Sequence, residues 1–222
     1  MSSLPDTAFA ARRPGRPVSM EKRKAILKAA RAEFSRLGYR DASVDAIADK
    51  AGVSKRTLYN HFAGKERLFR ELVTGFVRDL GDTVRLEYDP RLPLREQLEA
   101  YARRSIEFLR PPGNLRFFRM VFAEHIRNPS RVEHGLSIYW KGEYGLTAWV
   151  EAASRHGRLA PADVARASRI FAALIRGLFI WPALLGRKSL QNGEHAAEVG
   201  EAIEMFLAFF SEKEARTRRA QA

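Results

Sequence analysis

Apolar residues recur along most of this chain at spacings of three and four, the repeat of a helix with one buried face. No stretch carries the period-two alternation of a half-buried strand with any weight. The pattern predicts a first helix from just after Ser19 to Gly38. Its apolar face is Ile26, Leu27, Ala30, Phe34 and Leu37, and Lys22, Arg23, Lys24, Lys28 and Arg31 point outward. A short helix follows from Ser43, with Val44, Ile47, Ala48 and Ala51 apolar, and another from about Lys55 to Phe62, with Leu58 and Phe62 apolar. Longer periodic stretches run from Lys65 to about Leu80, Leu94 to Leu109 and Leu115 to Ile126. Others span Arg131 to Arg155, interrupted by Gly135, Gly142 and Gly145, then Ala160-Pro161 towards Leu185, and finally about Glu194 to Phe210. The fold class this predicts is all-α.

The two short helices are the most informative. Ser43 and Ser54 are N-cap residues, and Asp45 suits the positive end of the first helix. Gly52 sits where the chain must turn sharply, in a conformation that only glycine takes without strain. With Leu58 and Phe62 turned inward, Lys55, Arg56, Thr57, Tyr59, Asn60 and His61 are left outside. A rod of that width fits a major groove. Arg56 can read guanine and Asn60 adenine through paired hydrogen bonds, while His61 is better suited to packing or a phosphate. Gly64 and Lys65, opening the next helix, offer backbone N–H groups and an ammonium to a phosphate.

Charge sharpens this reading. The 222 residues carry a net +13, of which +9 falls in residues 1–70, together with the motif. That is the footprint of a phosphate-binding face. The alternative is a basic surface that only aids solubility. The leader holds Arg12-Arg13-Pro14-Gly15-Arg16-Pro17, whose prolines keep the arginines extended. Arg16 then either enters a minor groove or belongs to a disordered leader, and the sequence leaves both open.

The residues Ile47-Ala48, Ala51-Gly52-Val53-Ser54, Thr57-Leu58-Tyr59, His61-Phe62 and Lys65-Glu66-Arg67-Leu68-Phe69 resemble the DNA-binding domain of the TetR family of bacterial transcriptional regulators. The stretch from Phe117 to Gly186 is similar to the AefR-like C-terminal subgroup. The resemblance implies a basic arm at 1–18, a helix-turn-helix domain at 19–65 and a helical ligand-binding and dimerisation domain at 66–213. Residues 66–80 would form the linking helix, and 214–222 a frayed tail. It further implies that Tyr59 and Lys65 contact the DNA backbone, with Ser43 and Thr57 near phosphate. The partners implied are a palindromic double-stranded operator, a largely apolar small-molecule effector and a second copy of the chain. The last two helices would form the homodimer surface, burying Phe179, Ile203, Phe206 and Phe210.

Within the second domain Phe117, Phe122, Trp140, Tyr144, Trp149 and Phe179 are candidates to line an apolar cavity, and most such aromatics are simply core. Arg176 stands in an otherwise apolar face and needs a partner when buried: an anionic ligand, a carboxylate such as Glu124, or a carbonyl across a dimer interface. Zero cysteines exclude disulfides and thiolate chemistry and fit a cytoplasmic setting. No HExxH, Gly-x-Ser-x-Gly or Walker loop is present, no histidine spacing favours a metal, and no cofactor is implied. The apolar run Ile170–Leu185 contains Arg176 and Pro182 and is read as core rather than membrane span. Two rivals to an inducible repressor stay open. One is a ligand-independent DNA-binding or architectural protein; the other is an enzyme whose basic surface recruits acidic substrate.

Overall fold

The computed structural model describes residues 19–141, 145–187, 190 and 195–211, with the backbone alone at 134, 136 and 138–141. The arm at 1–18 with Arg16, the side chain of Trp140, Tyr144 and the tail at 214–222 lie outside the described residues. Every regular element described is helical.

The helix α1 (Met20–Asp41) starts at Ser19, whose hydroxyl accepts from the Lys22 N–H at 3.4 Å, and it bends at Gly38, where φ is 78°. Then come α2 (Val44–Lys50) and α3 (Lys55–His61). Ile26, Phe34, Ile47 and Leu58 are fully enclosed and tie the three together. Glu33 is 2 % exposed and is held by Arg36 and Lys50, each at 3.1 Å. The Lys50 hydrogen bond above all keeps its carboxyl below the usual carboxylate range. A depressed carboxyl adds stability at neutral pH that is lost as pH falls through its lowered value. Glu33→Gln is therefore expected to lower the melting temperature at neutral pH and to flatten its decline from about pH 5 to about pH 3. Thermal melts across that window check this, and an unchanged acid limb would contradict it.

The second half is a bundle. Its first member, α4 (Lys65–Val84), leaves the small domain and enters the large one, a turn longer than the apolar spacing predicted. It packs along α7 (Pro129–Lys141), while α1 packs along α6 (Pro112–Arg127). Gly135 makes the first contact possible: a Cβ there would stand 2.5 Å from Val73 Cγ1. Pro112 and Pro129 open helices instead of only ending them, because the first turn has no use for the N–H that proline lacks.

The long helix predicted over Arg131–Arg155 is two, α7 and α8 (Leu146–Arg155). Gly145 accounts for the break on both counts, with φ at 86° and a Cβ position 2.5 Å from the Leu86 carbonyl oxygen. Asp163, not Pro161, begins α9 (Val164–Ile175): its carboxylate accepts from the Arg166 N–H at 2.9 Å. A π-helical turn (Arg176–Ile180) then carries the chain into α10 (Trp181–Leu184). The helical path Val164–Leu184 has 21 residues, longer than the apolar run Ile170–Leu185 alone, and by length and composition alone could cross a membrane. Its apolarity is spent on the core: Phe171, Ile175, Phe179 and Ala183 are buried. The last helix, α11 (Ala196–Phe210), packs on α5 (Leu94–Leu109) and α9.

Candidate nucleic-acid interface and effector region

The turn between α2 and α3 closes as a Schellman motif. The Gly52 N–H bonds to the Asp49 carbonyl at 3.1 Å and the Val53 N–H to the Ala48 carbonyl at 3.0 Å, with Gly52 at φ 65°. Ser43 caps α2 by accepting from the Asp45 and Ala46 N–H groups, and Ser54 caps α3 by accepting from the Thr57 N–H at 3.1 Å. Asp45 and Lys55, 2.8 Å apart, link the starts of the two helices, and the hydrogen bond raises the Lys55 pKa.

Leu58 and Phe62 anchor α3, so Arg56, Tyr59 and Asn60 stand on its exposed side, with Tyr59 46 % exposed. Thr57 is half-buried, and its hydroxyl lies 2.8 Å from that of Ser54. His61 leans back on Phe62 and is half-buried. Arg56, Tyr59 and Asn60 therefore form a common outward set that Thr57 and His61 only flank.

Lys65 is engaged within the chain. Its ammonium donates to the Arg40 carbonyl at 2.8 Å and lies 4.8 Å from the Tyr39 ring centre, and burial lowers its pKa. Arg131 of α7 covers the same ring at 4.0 Å and pairs with buried Glu124 of α6. Burial raises the Tyr39 pKa. This cluster joins the start of α4 to the second domain.

Two arginines that the pattern placed on the outer face of α1 turn inward. Arg23 covers Phe62 at 4.5 Å, donates to the His61 carbonyl at 3.4 Å and pairs with Glu71, so it holds the end of α3 against α4. Arg31 sits over Phe76 and Phe117 at 5.2 and 5.1 Å and donates to Asn114 at 2.6 Å; burial lowers its pKa. A signal was available: Arg23 lies one heptad before Ala30 and Arg31 four after Leu27, both in line with the apolar stripe.

In the large domain, Leu80, Tyr101, Phe118, Ile175 and Arg176 are among the residues around a central cavity of about 30 Å³. Arg176 is half-buried there and engaged, while Glu124 is taken by Arg131. Phe117, Phe122, Trp149 and Phe179 lie outside that lining. Phe117 faces Phe76, and Phe122 faces Phe118 and Trp181. The Trp149 indole donates to Gln97 at 2.9 Å, and Gln97 in turn holds the 89–93 loop through the Asp89 and Leu92 carbonyls.

The expected dimer face needs correction. Phe179, Ile203, Phe206 and Phe210 are buried within the single chain, at 0, 0, 2 and 8 % exposure. Phe206 packs on Phe171 of α9 and on Phe210, and Phe179 on His195. Among the described residues of these last helical runs, the large apolar side chains left outside are Leu178, Leu185, Met205 and Phe209, the last three more than half exposed.

A capped helix pair with a polar outward face, on a helical bundle, defines a helix-turn-helix DNA-binding protein. Residues 26–72 match the profile of bacterial regulatory proteins of the tetR family. Residues 96–212 match that of the AefR-like transcriptional repressor C-terminal domain. The chain belongs to the TetR family of transcriptional regulators. It is 34 % identical to a TetR family regulator from Pseudomonas syringae pv. tomato, with a TM-score of 0.71 over 87 % of this chain and 98 % of that one. The flavonoid-responsive regulator FrrA superposes with a TM-score of 0.73 at 26 % identity, over 87 % of this chain and 98 % of that one. YhgD of Bacillus subtilis, an uncharacterized HTH-type transcriptional regulator, is 32 % identical over 91 residues, 41 % of this chain and 48 % of that protein. The chain thus spans about half the length of that curated relative.

Proposed function

We propose that this chain is a dimeric repressor that reads a palindromic operator with α3 and leaves it when a small molecule binds the large domain. The observation that carries the reading is the shared outward face of Arg56, Tyr59 and Asn60 on a helix capped at its start and anchored by Leu58. Arg56 and Asn60 take the base edges in this reading, and Tyr59, Lys65, Ser43 and Thr57 the phosphates, with His61 at the margin. Leu178, Met205 and Phe209 support a self-association face on α11 and the π-helical turn. Two copies would then engage half-sites roughly 34–36 Å apart. The AefR-like repressor domain and the responsiveness of FrrA to flavonoids support effector control. Such a ligand acts only through different affinity for two arrangements of the dimer, a coupling of about 1–3 kcal/mol or roughly 5- to 150-fold in operator affinity.

Selection of bound duplexes from random DNA tests the reading. An enriched inverted repeat is the expected result, and recovery without sequence preference would overturn it. A ligand-independent regulator is the second reading, favoured by the central cavity, whose 30 Å³ suits about one water.

A further inference from the structure

A second cavity, of about 310 Å³, lies between α5 and the start of α11. Its volume is at the lower end of small-molecule sites, about 300–1,000 Å³. The central space between α4, α5, α6 and α9 is a different one. Ile106 and Val199 give it apolar lining, and Arg103 and Arg110 bring charge from α5.

His195 is the unusual member. It is 6 % exposed, one side of its ring lies 5.2 Å from Phe179, and neither ring nitrogen has a hydrogen-bond partner. A buried polar group left in this state is costly, and the cavity it lines is where a partner can be supplied. The charges on the wall indicate which partner. Glu99 is bound by Arg95 at 2.8 Å, and Glu107 lies 3.9 Å from Arg110. Arg95 is shared with Glu204, so the wall carries no net charge, but Arg103 is exposed and has no ion-pair partner among the described residues, which leaves its guanidinium available to an anion. An anion beside Arg103 can also accept from His195, while Ile106 and Val199 receive an apolar body.

We infer that this cavity binds a small amphipathic carboxylate, its acid group held by Arg103 and His195 and its ring or chain on Ile106 and Val199. The inference deepens the effector-controlled reading above and rests on it. The position gives such a ligand leverage. Phe179, which touches His195, belongs to the same π-helical turn as Leu178, on the face assigned to self-association.

The test uses the full chain, with benzoate and 1-naphthoate as probes and their neutral amides as controls. The ring resonances of its five histidines are followed by NMR, and that of His195 is assigned by its absence from His195→Gln. Saturable binding in the sub-millimolar range that moves the His195 resonance is expected, with the amides weaker. Arg103→Gln, an exposed change that leaves the fold alone, is expected to weaken carboxylate binding about tenfold or more, as loss of a charge-assisted hydrogen bond does. No movement of the His195 resonance at millimolar probe, or unchanged binding by Arg103→Gln, overturns the site. Operator binding is measured separately. A carboxylate that binds as expected yet leaves operator affinity unchanged upholds the site and counts against inducible repression. An effector that releases DNA without moving His195 does the reverse.

Discussion

Arg56→Ala is expected to abolish discrimination between operator and scrambled duplex at one base pair in each half-site. A bidentate contact to guanine contributes about 1–3 kcal/mol of discrimination, so two copies lose about 2–6 kcal/mol. That corresponds to roughly 30- to 20,000-fold in affinity for operator. Binding to scrambled DNA should change far less, because Arg56 stands at the exposed side of α3 and supports none of its packing. Lys65→Ala should behave differently. It weakens both duplexes together and makes the salt dependence shallower by about 0.9 per phosphate contact removed, once per protomer. The loss is moderated because the ammonium already donates to the Arg40 carbonyl and lies against Tyr39. Fluorescence anisotropy with both duplexes across a salt series separates the two effects. Equal losses on both duplexes for Arg56→Ala would show that it holds phosphate and does not read a base.

If the chain self-associates as proposed, the double substitution Met205→Glu, Phe209→Glu is expected to leave it a monomer without unfolding it. Both side chains are more than half exposed in the single chain, so charging them disturbs little of its packing. Surface changes of this kind shift stability by about 0.5 kcal/mol or less. Operator affinity, in contrast, should fall by about 10²- to 10⁴-fold, because each half-site must then be bound alone. Phe206→Glu, one helical position along but 2 % exposed, should unfold the chain instead. Sedimentation velocity, far-UV melts and anisotropy on the three proteins check the set. A charged double variant that still sediments as a dimer would move the self-association face elsewhere.

The contrast between Phe206 and Phe209 also marks how far the amino-acid pattern could be read. Apolar spacing located most of the long helices among the described residues, though it ran α7 and α8 together, and the capping serines and Gly52 located the motif. Those signals are local: a cap needs its own N–H groups and a left-handed turn needs its own glycine. Helix ends were less legible where proline was involved, since the same residue stops one helix and opens the next, as Pro112 does. The candidate site was legible where function faces outward. Arg56, Tyr59 and Asn60 follow from knowing which side of α3 is apolar. Arg23 and Arg31 were misassigned because a positive charge on a stripe edge reads as solvent-facing until an aromatic ring or a carboxylate is found across from it. His195 carried no sequence signal at all.

By itself the sequence determined most of the helices, the serine caps of the first three, the helix-turn-helix unit and the charge concentrated around it, because each depends on residues within about a dozen positions of one another. Tertiary structure alone decided which aromatic side chains are core and which remain outside, where Arg131, Tyr39 and Lys65 meet, and that a cavity opens beside His195. The reason is that burial belongs to the neighbours a residue acquires from distant helices. Two phenylalanines three positions apart on α11 have the same chemistry, and only the presence of α5 and α9 on one side of that helix makes them different.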